Sequence, residues 1–257
     1  MNTSLEVLFA PAEFAALRER DLSNTVCVVF DVLRATSSMV TALNNGASAI
    51  IPVAEIAEAL EIRARDPQVL LAGERDGVRI QSNLTGGVAF DLGNSPREFT
   101  KEKIGGRPIA ITTTNGTRAL RACQRAWMTF IGSFLNLSAT SNLLQQQPPS
   151  HLILVCSGTF DQAAYEDVLC AGALCALIGS HYTAGAVSDS AHIARKLFLA
   201  EERDLTGAIA SSSRNAARLL ASAELRDDVA FCLQRDVFNL VAELSIDGTI
   251  KSRPPSS

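Results

Sequence analysis

The chain is predicted to fold as a three-layer α/β/α protein around a mainly parallel or mixed β-sheet. Three observations carry that prediction. Short β-branched runs alternate with helical patterns over the first two thirds of the 257 residues, the order expected of a sheet covered on both faces. Hydrophobic residues make up 47% and charged residues 19% of the chain, enough for a sizeable core and far from the composition of disorder. The polar residues gather just after apolar strands, where open α/β sheets bind their ligands.

The elements follow in order. Leu5–Phe9 suits a first strand; Glu6 interrupts its apolar run and no basic flank precedes it, so it does not match a signal peptide. Helix Ala12–Arg20 leads to the apolar strand Thr25–Phe30, then helix Ser37–Asn45 closed by Gly46, strand Ala49–Val53, helix Ile56–Arg65 and strand Val69–Ala72. After a loop-rich stretch come strand Pro108–Thr112, helix Thr117–Gln124, strand Trp127–Ile131, helix Asn136–Gln146, strand Leu152–Cys156 and helix Glu166–Ile178. Residues 188–233 are Ala/Leu-rich and helical, and Phe238–Leu244 suits a last helix or strand. Pro148-Pro149 is the one internal linker signal, so residues 1–250 are expected to form one unit whose lobes, if it has two, meet near 148–150. Lys251–Ser257, with two prolines and three serines, is expected to be a flexible tail.

Composition narrows the function. Lys plus Arg number 23 against 27 Asp plus Glu, a net charge of −4 without a basic cluster, which argues against nucleic acid. No apolar stretch reaches the ~18 residues of a membrane span, and the apolar helix around Val168–Ile178 is broken by Gly172. The six cysteines form no C-x-x-C pair and read as reduced, buried thiols of a cytoplasmic protein. None has an arginine six positions on, as a C-x5-R cysteine phosphatase requires.

Four strand ends deliver polar residues: Asp31-Val32-Leu33-Arg34-Ala35-Thr36, Gly73-Glu74-Arg75, Thr113-Thr114-Asn115-Gly116-Thr117 and Ser157-Gly158-Thr159. Asp31 stands where many α/β enzymes keep a catalytic carboxylate, although a turn or cap aspartate would look the same. The aspartyl-phosphate phosphatase pattern is absent, because Leu33 holds the place of its second aspartate. The threonine-rich turn around Asn115-Gly116 offers hydroxyls, an amide and free N–H groups at a helix start, the requirements of an anion-binding turn. Asn94-Ser95-Pro96 with Glu98 fits a capping box; the functional alternative puts Asn94 and Ser95 on a substrate. Glu166-Asp167 at a helix start either complement its dipole or join in holding Mg²⁺, which takes one or two carboxylates plus phosphate oxygens and waters.

Together with Asp91-Leu92-Gly93-Asn94-Ser95-Pro96, Arg118-Ala119-Leu120 and Gly132-Ser133-Phe134-Leu135-Asn136, these segments resemble, in order, the 2-phosphosulfolactate phosphatase (ComB) family over about Leu5 to Ala242. The resemblance implies an α/β homodimer that uses Mg²⁺ to hydrolyse 2-phospho-3-sulfolactate to 3-sulfolactate and phosphate, a step toward coenzyme M. Thr36-Ser37 and Tyr165 depart mildly from the family pattern, and Gln81–Ala89 looks like an insertion that would reshape the pocket rim.

On this reading Asp31, Arg34 and Glu74 are catalytic. Asp31, Glu74, Glu166 and Asp167 supply the metal ligands. Thr36, Arg75, Arg79, Asn94, Ser95, Thr114, Asn115, Gly116, Thr117 and Arg118 bind the substrate, with Arg34 on the phosphate and at least one of Arg75 and Arg79 on the carboxylate or sulfonate. The rivals are a phosphatase or phosphotransferase for another small anionic phosphomonoester, and a non-catalytic phosphometabolite-binding protein.

Overall fold

The computed structural model describes residues 3–253. Its first half alternates strand and helix: β1 (Ser4–Leu8), α1 (Phe14–Glu19), β2 (Thr25–Phe30), α2 (Ala35–Asn44), β3 (Ala49–Pro52), α3 (Ile56–Arg65), β4 (Leu70–Arg75) and the short β5 (Val78–Arg79). The single-turn α4 (Lys101–Ile104) precedes β6 (Pro108–Thr112), α5 (Gly116–Ala122), β7 (Met128–Gly132), α6 (Leu137–Gln146), β8 (His151–Cys156) and α7 (Tyr165–Ile178). Four helices follow, α8 (Asp189–Glu201), α9 (Leu205–Ser212), α10 (Arg214–Leu220) and α11 (Arg226–Cys232), and the chain closes with β9 (Val241–Leu244) and β10 (Ile250–Arg253). The expected strands and helices are therefore present, most with ends shifted by a residue or two.

The strands form one mixed sheet in the order β1-β8-β2-β7-β9-β10-β3-β6-β4-β5. Side-chain alternation divides its core in two. Val26, Val28 and Phe30 of β2 and Leu152, Leu154 and Cys156 of β8 face α6 to α11, while Cys27, Val29, Ile153 and Val155 face α1, α2, α4 and α5. A smaller cluster under α3 joins Ala59 to Val69, Leu71 and Ala110. The helix α7 is buried almost all round because α8 covers its outer side. There Gly172 lets the carbonyl of Ala194 approach to within 2.1 Å of where a Cβ would stand. β8 pairs with both β1 and β2, so residues on either side of Pro148-Pro149 share one sheet and one core.

The end of the chain differs from expectation. Lys251–Arg253, assigned to a flexible tail, pair antiparallel with Val241–Glu243. The turn between them holds Asp247-Gly248, with Gly248 at φ +80°, a hairpin signal that was outweighed by the Pro/Ser-rich residues that follow, and Arg253 is fixed further by Glu243 at 3.2 Å. Residues 254–257 of the expected tail lie outside the described residues.

That hairpin separates two parallel blocks, β1-β8-β2-β7 and β3-β6-β4, and its antiparallel pairings on both sides reverse one block relative to the other. In a flat sheet their carboxyl ends would point apart. Each strand step turns the sheet by about 20–25°, so the five steps from β2 to β6 turn it by about 100–125°. This brings the carboxyl ends of β2, β8, β6 and β4 toward one cleft, lined by Asp31, Thr159, Thr113 and Glu74.

Candidate active site

Asp31 follows the last residue of β2 and is fixed by the start of α2. Its N–H donates to Thr36 Oγ1 at 3.0 Å, its carbonyl accepts from Thr36 N–H at 2.9 Å, and its Oδ1 accepts from Ala35 N–H at 3.1 Å. Thr36 thus shapes the Asp31 loop and is not itself a cleft-lining residue. Oδ2 makes no hydrogen bond with any described residue, and Asp31 lines the cleft.

Glu74 joins three segments. Its Oε1 accepts from the N–H and the hydroxyl of Thr114 at 2.9 and 3.0 Å, and its Oε2 accepts from Gly77 N–H at 2.7 Å. Asp76 and Gly77 form the two-residue turn between β4 and β5 with φ of +55° and +81°, the two positive values that a type I′ Asp-Gly hairpin turn requires.

Arg34 is buried and anchored at two points. Nη1 donates to Asp228 Oδ2 at 2.6 Å and Nη2 to the Gly77 carbonyl at 2.9 Å. Asp228, fully buried on α11, also accepts from the hydroxyl of Ser95 at 2.6 Å and from Arg97 Nε at 2.8 Å. The capping box foreseen at Ser95 is therefore not formed: its hydroxyl serves Asp228, and Glu98 accepts instead from Gly93 N–H. Asp228 explains how a guanidinium is kept without solvent, because a buried charge needs a hydrogen-bonded counterpart.

The turn after β6 closes the floor. Thr113, Thr114 and Asn115 line the cleft, and Thr117 donates its hydroxyl to the Thr113 carbonyl at 3.0 Å. A Cβ on Gly116 would stand 2.8 Å from the Ala35 side chain and 3.0 Å from Asp31 Oδ2. Only glycine lets the starts of α5 and α2 meet beside that carboxylate. Asn94 Oδ1 and Thr113 Oγ1 are buried without a protein partner, and both residues line the cleft. Unmet polar groups of this kind cost about 1–3 kcal/mol, which a bound polar ligand would recover.

The remaining candidates lie elsewhere. Both oxygens of Glu166 are engaged, Oε2 by the Ser213 hydroxyl at 2.6 Å and Oε1 by Asn215 Nδ2 at 2.7 Å. Those of Asp167 accept from Val32 and Gly158 N–H at 2.8 and 3.1 Å. Neither lines the cleft, because each fastens a loop to α7. Arg75 turns back to Thr112 Oγ1 at 3.1 Å and the Glu74 carbonyl at 2.7 Å. Arg79 reaches the Asp91 carbonyl at 3.1 Å in a neighbouring groove, and Arg118 pairs with Asp161 at 2.9 Å on the exposed side. The 81–89 excursion is pinched at its base by Phe90 N–H donating to the Ile80 carbonyl at 3.0 Å, and its residues do not line the cleft.

Several cleft residues escaped sequence reasoning: Asp228 behind Arg34, and Asp76, Phe160, Asn215 and Arg218 in the lining. For Asp228 a signal existed. It stands three residues after Leu225 and four before Cys232, on the apolar face of a helix where a carboxylate demands a partner.

Burial pushes the Asp31 carboxyl up to about 7; the Ala35 N–H opposes this, the charges of Glu74 and Glu166 add to it, and Arg34 offsets it. Asp167 is likewise raised, first by burial and then by the charges of Glu166 and Asp31. Among the described residues no group of three or more His, Cys, Asp or Glu is placed to hold a metal. The free oxygens of Asp31 and Asn94 both belong to residues that line the cleft. They suit an ion such as Mg²⁺ that keeps its waters and takes one or two carboxylates. No helix of the described residues is long and apolar enough to cross a membrane.

Comparison with known proteins finds relatives that share one name. A relative from Pseudothermotoga lettingae named probable 2-phosphosulfolactate phosphatase is 38% identical over 251 residues, 97% of this chain and 100% of its own length. One of the same name from Thermotoga maritima is 41% identical over 217 residues, 84% of this chain and 88% of its own. Another, from Clostridium acetobutylicum, is 30% identical over 228 residues, 88% and 92% of the two chains. The family model for 2-phosphosulpholactate phosphatase matches residues 13–246, and the chain belongs to that family.

Proposed function

We propose that the protein is a phosphoric monoester hydrolase that converts 2-phospho-3-sulfolactate and water to 3-sulfolactate and phosphate with Mg²⁺. The supporting observation is the free oxygen of Asp31 held beside the Gly116 turn, with Arg34 fixed nearby. Phosphate monoesters hydrolyse so slowly unaided that enhancements reach ~10²¹, about 29 kcal/mol, so no single group suffices. Arg34 and the 114–117 turn donate to the phosphoryl oxygens, and because Asp228 and Glu74 hold them already, they need little reorganisation during reaction. Asp31 takes the proton of the attacking water, or attacks the phosphorus directly. Mg²⁺, bound by Asp31 with Asn94 and Glu74 beside it, would neutralise charge on the phosphoryl oxygens and favour the ionised form of Asp31.

The reading extends to a step on a route to coenzyme M, carried out by a cytoplasmic homodimer. Phosphate release from 2-phospho-3-sulfolactate tests it directly. Chelation of divalent ions should abolish release and Mg²⁺ should restore it; full activity after exhaustive chelation would refute the metal requirement. Absence of release with Mg²⁺ present would refute the substrate.

A further inference from the structure

Resting on that reaction, we infer that Arg218 of α10 binds the sulfonate of the substrate and sets the preference for it over sulfonate-free phosphoesters. The cleft is short of free cations. The substrate carries a phosphate, a carboxylate and a sulfonate, whereas most arginines around the strand ends are already engaged. Arg34 is held by Asp228 and the Gly77 carbonyl, Arg75 by Thr112 and two carbonyls, and Arg118 by Asp161. Arg79 and Arg97 lie in the neighbouring groove, joined to Glu98 and to Asp228. Arg34 and Arg218 are the arginines that line the cleft itself, and Arg218 makes no hydrogen bond or ion pair with any described residue.

Its position is prepared by two other residues. Asn215, one turn earlier on the same helix face, donates to Thr159 Oγ1 at 2.8 Å and to Glu166 Oε1 at 2.7 Å. Ala216 and Leu219 are buried in the core. The helix is thereby fixed with position 218 turned toward the cleft. Across the opening, the guanidinium of Arg218 lies over Gly77, its Cζ 3.7 Å and its Nη2 3.9 Å from where a Cβ would stand. The guanidinium therefore lies within van der Waals reach of Gly77, whose carbonyl holds Arg34.

The two arginines therefore serve different depths. Arg34 is buried and belongs to the phosphoryl group, while Arg218 is exposed at the mouth. In the substrate the sulfonate sulfur is two bonds from the ester-bearing carbon and the carboxylate carbon only one. With phosphate on the floor, the sulfonate reaches furthest outward. It offers three oxygens and stays anionic at every working pH, a good match for an always-charged guanidinium that carries several donors.

The test compares 2-phospho-3-sulfolactate with 2-phospholactate, which lacks the sulfonate, in the native protein and in Arg218→Ala, Arg218→Lys and Arg214→Ala. The native protein should prefer the sulfonated substrate. Arg218→Ala should lower kcat/KM for it about tenfold, mostly through KM, and change 2-phospholactate by less than about twofold. Arg218→Lys should restore part of the preference, and Arg214→Ala, whose side chain lies outside the cleft, should leave both substrates unchanged. Equal losses on both substrates in Arg218→Ala, or an unaltered preference, would overturn the assignment while leaving the phosphatase reading standing. Turnover of 2-phospholactate but not of 2-phospho-3-sulfolactate by the native protein would overturn both.

Discussion

Replacing Asp31 by Asn should make the protein more stable and far less active, with a pH dependence that identifies the cause. In the folded chain the carboxyl ionises near 7, against an ordinary value of 3.8. The fold thus binds a proton in a range where the unfolded chain has lost it. Below pH 3.8 the group is neutral in both states and costs nothing. As pH rises from 3.8 to 7 stability is lost, and above 7 the full penalty is present. About three units at 1.36 kcal/mol each set an upper bound near 4 kcal/mol. Asparagine is never charged, and its Oδ1 still accepts from Ala35 N–H. The variant should therefore match the native protein near pH 4 and exceed it by about 2–4 kcal/mol at pH 8, or roughly 5–10 °C in Tm for a chain of this size. Measured without divalent ions, thermal unfolding across pH 4–9 reads this difference directly. Turnover should fall by about 10² or more. Parallel Tm curves for the two proteins at every pH would refute the argument that Asp31 is buried at a cost.

Gly116→Ala should cost about 1–3 kcal/mol by overpacking and weaken inhibition by inorganic phosphate, because its methyl would stand 2.8 Å from Ala35 and 3.0 Å from Asp31 Oδ2; unchanged inhibition would make the turn purely structural. Asp228→Ala strands the Arg34 guanidinium without its counter-ion and should cost about 3–5 kcal/mol. Urea unfolding measures this, and a loss under about 1 kcal/mol would contradict the burial of that pair.

The fold was legible because its strands are apolar on both faces: β2 and β8 each read as an unbroken hydrophobic run between polar ends. Asp31, the threonine turn and Glu74 were legible for a related reason, since each interrupts an apolar strand at its carboxyl end. What escaped was the long-range partnership. Nothing adjacent to Arg34 in sequence shows that its counter-ion lies on α11, and nothing near Glu166 shows that Ser213 and Asn215 satisfy it before a metal could. Charge and spacing nominate a residue, but hydrogen-bond demand from distant segments decides whether it is free to act. Arg75 and Arg118 were nominated on the first criterion and are engaged on the second, whereas Arg218, in an Ala/Leu-rich helical stretch, had no local motif to mark it.

The bond between Arg34 and Asp228 spans 194 positions, and this separation governs when the cleft comes into being during synthesis. A ribosome-bound chain exposes its threonine turn and Asp31 early, but Arg34 has no counter-ion until residue 228 has emerged, and closing so large a loop is entropically slow. Ligand affinity should consequently arise late and all at once, and because the β9-β10 hairpin that joins the two strand blocks emerges later still, protection by phosphate would report the completed sheet and cleft together.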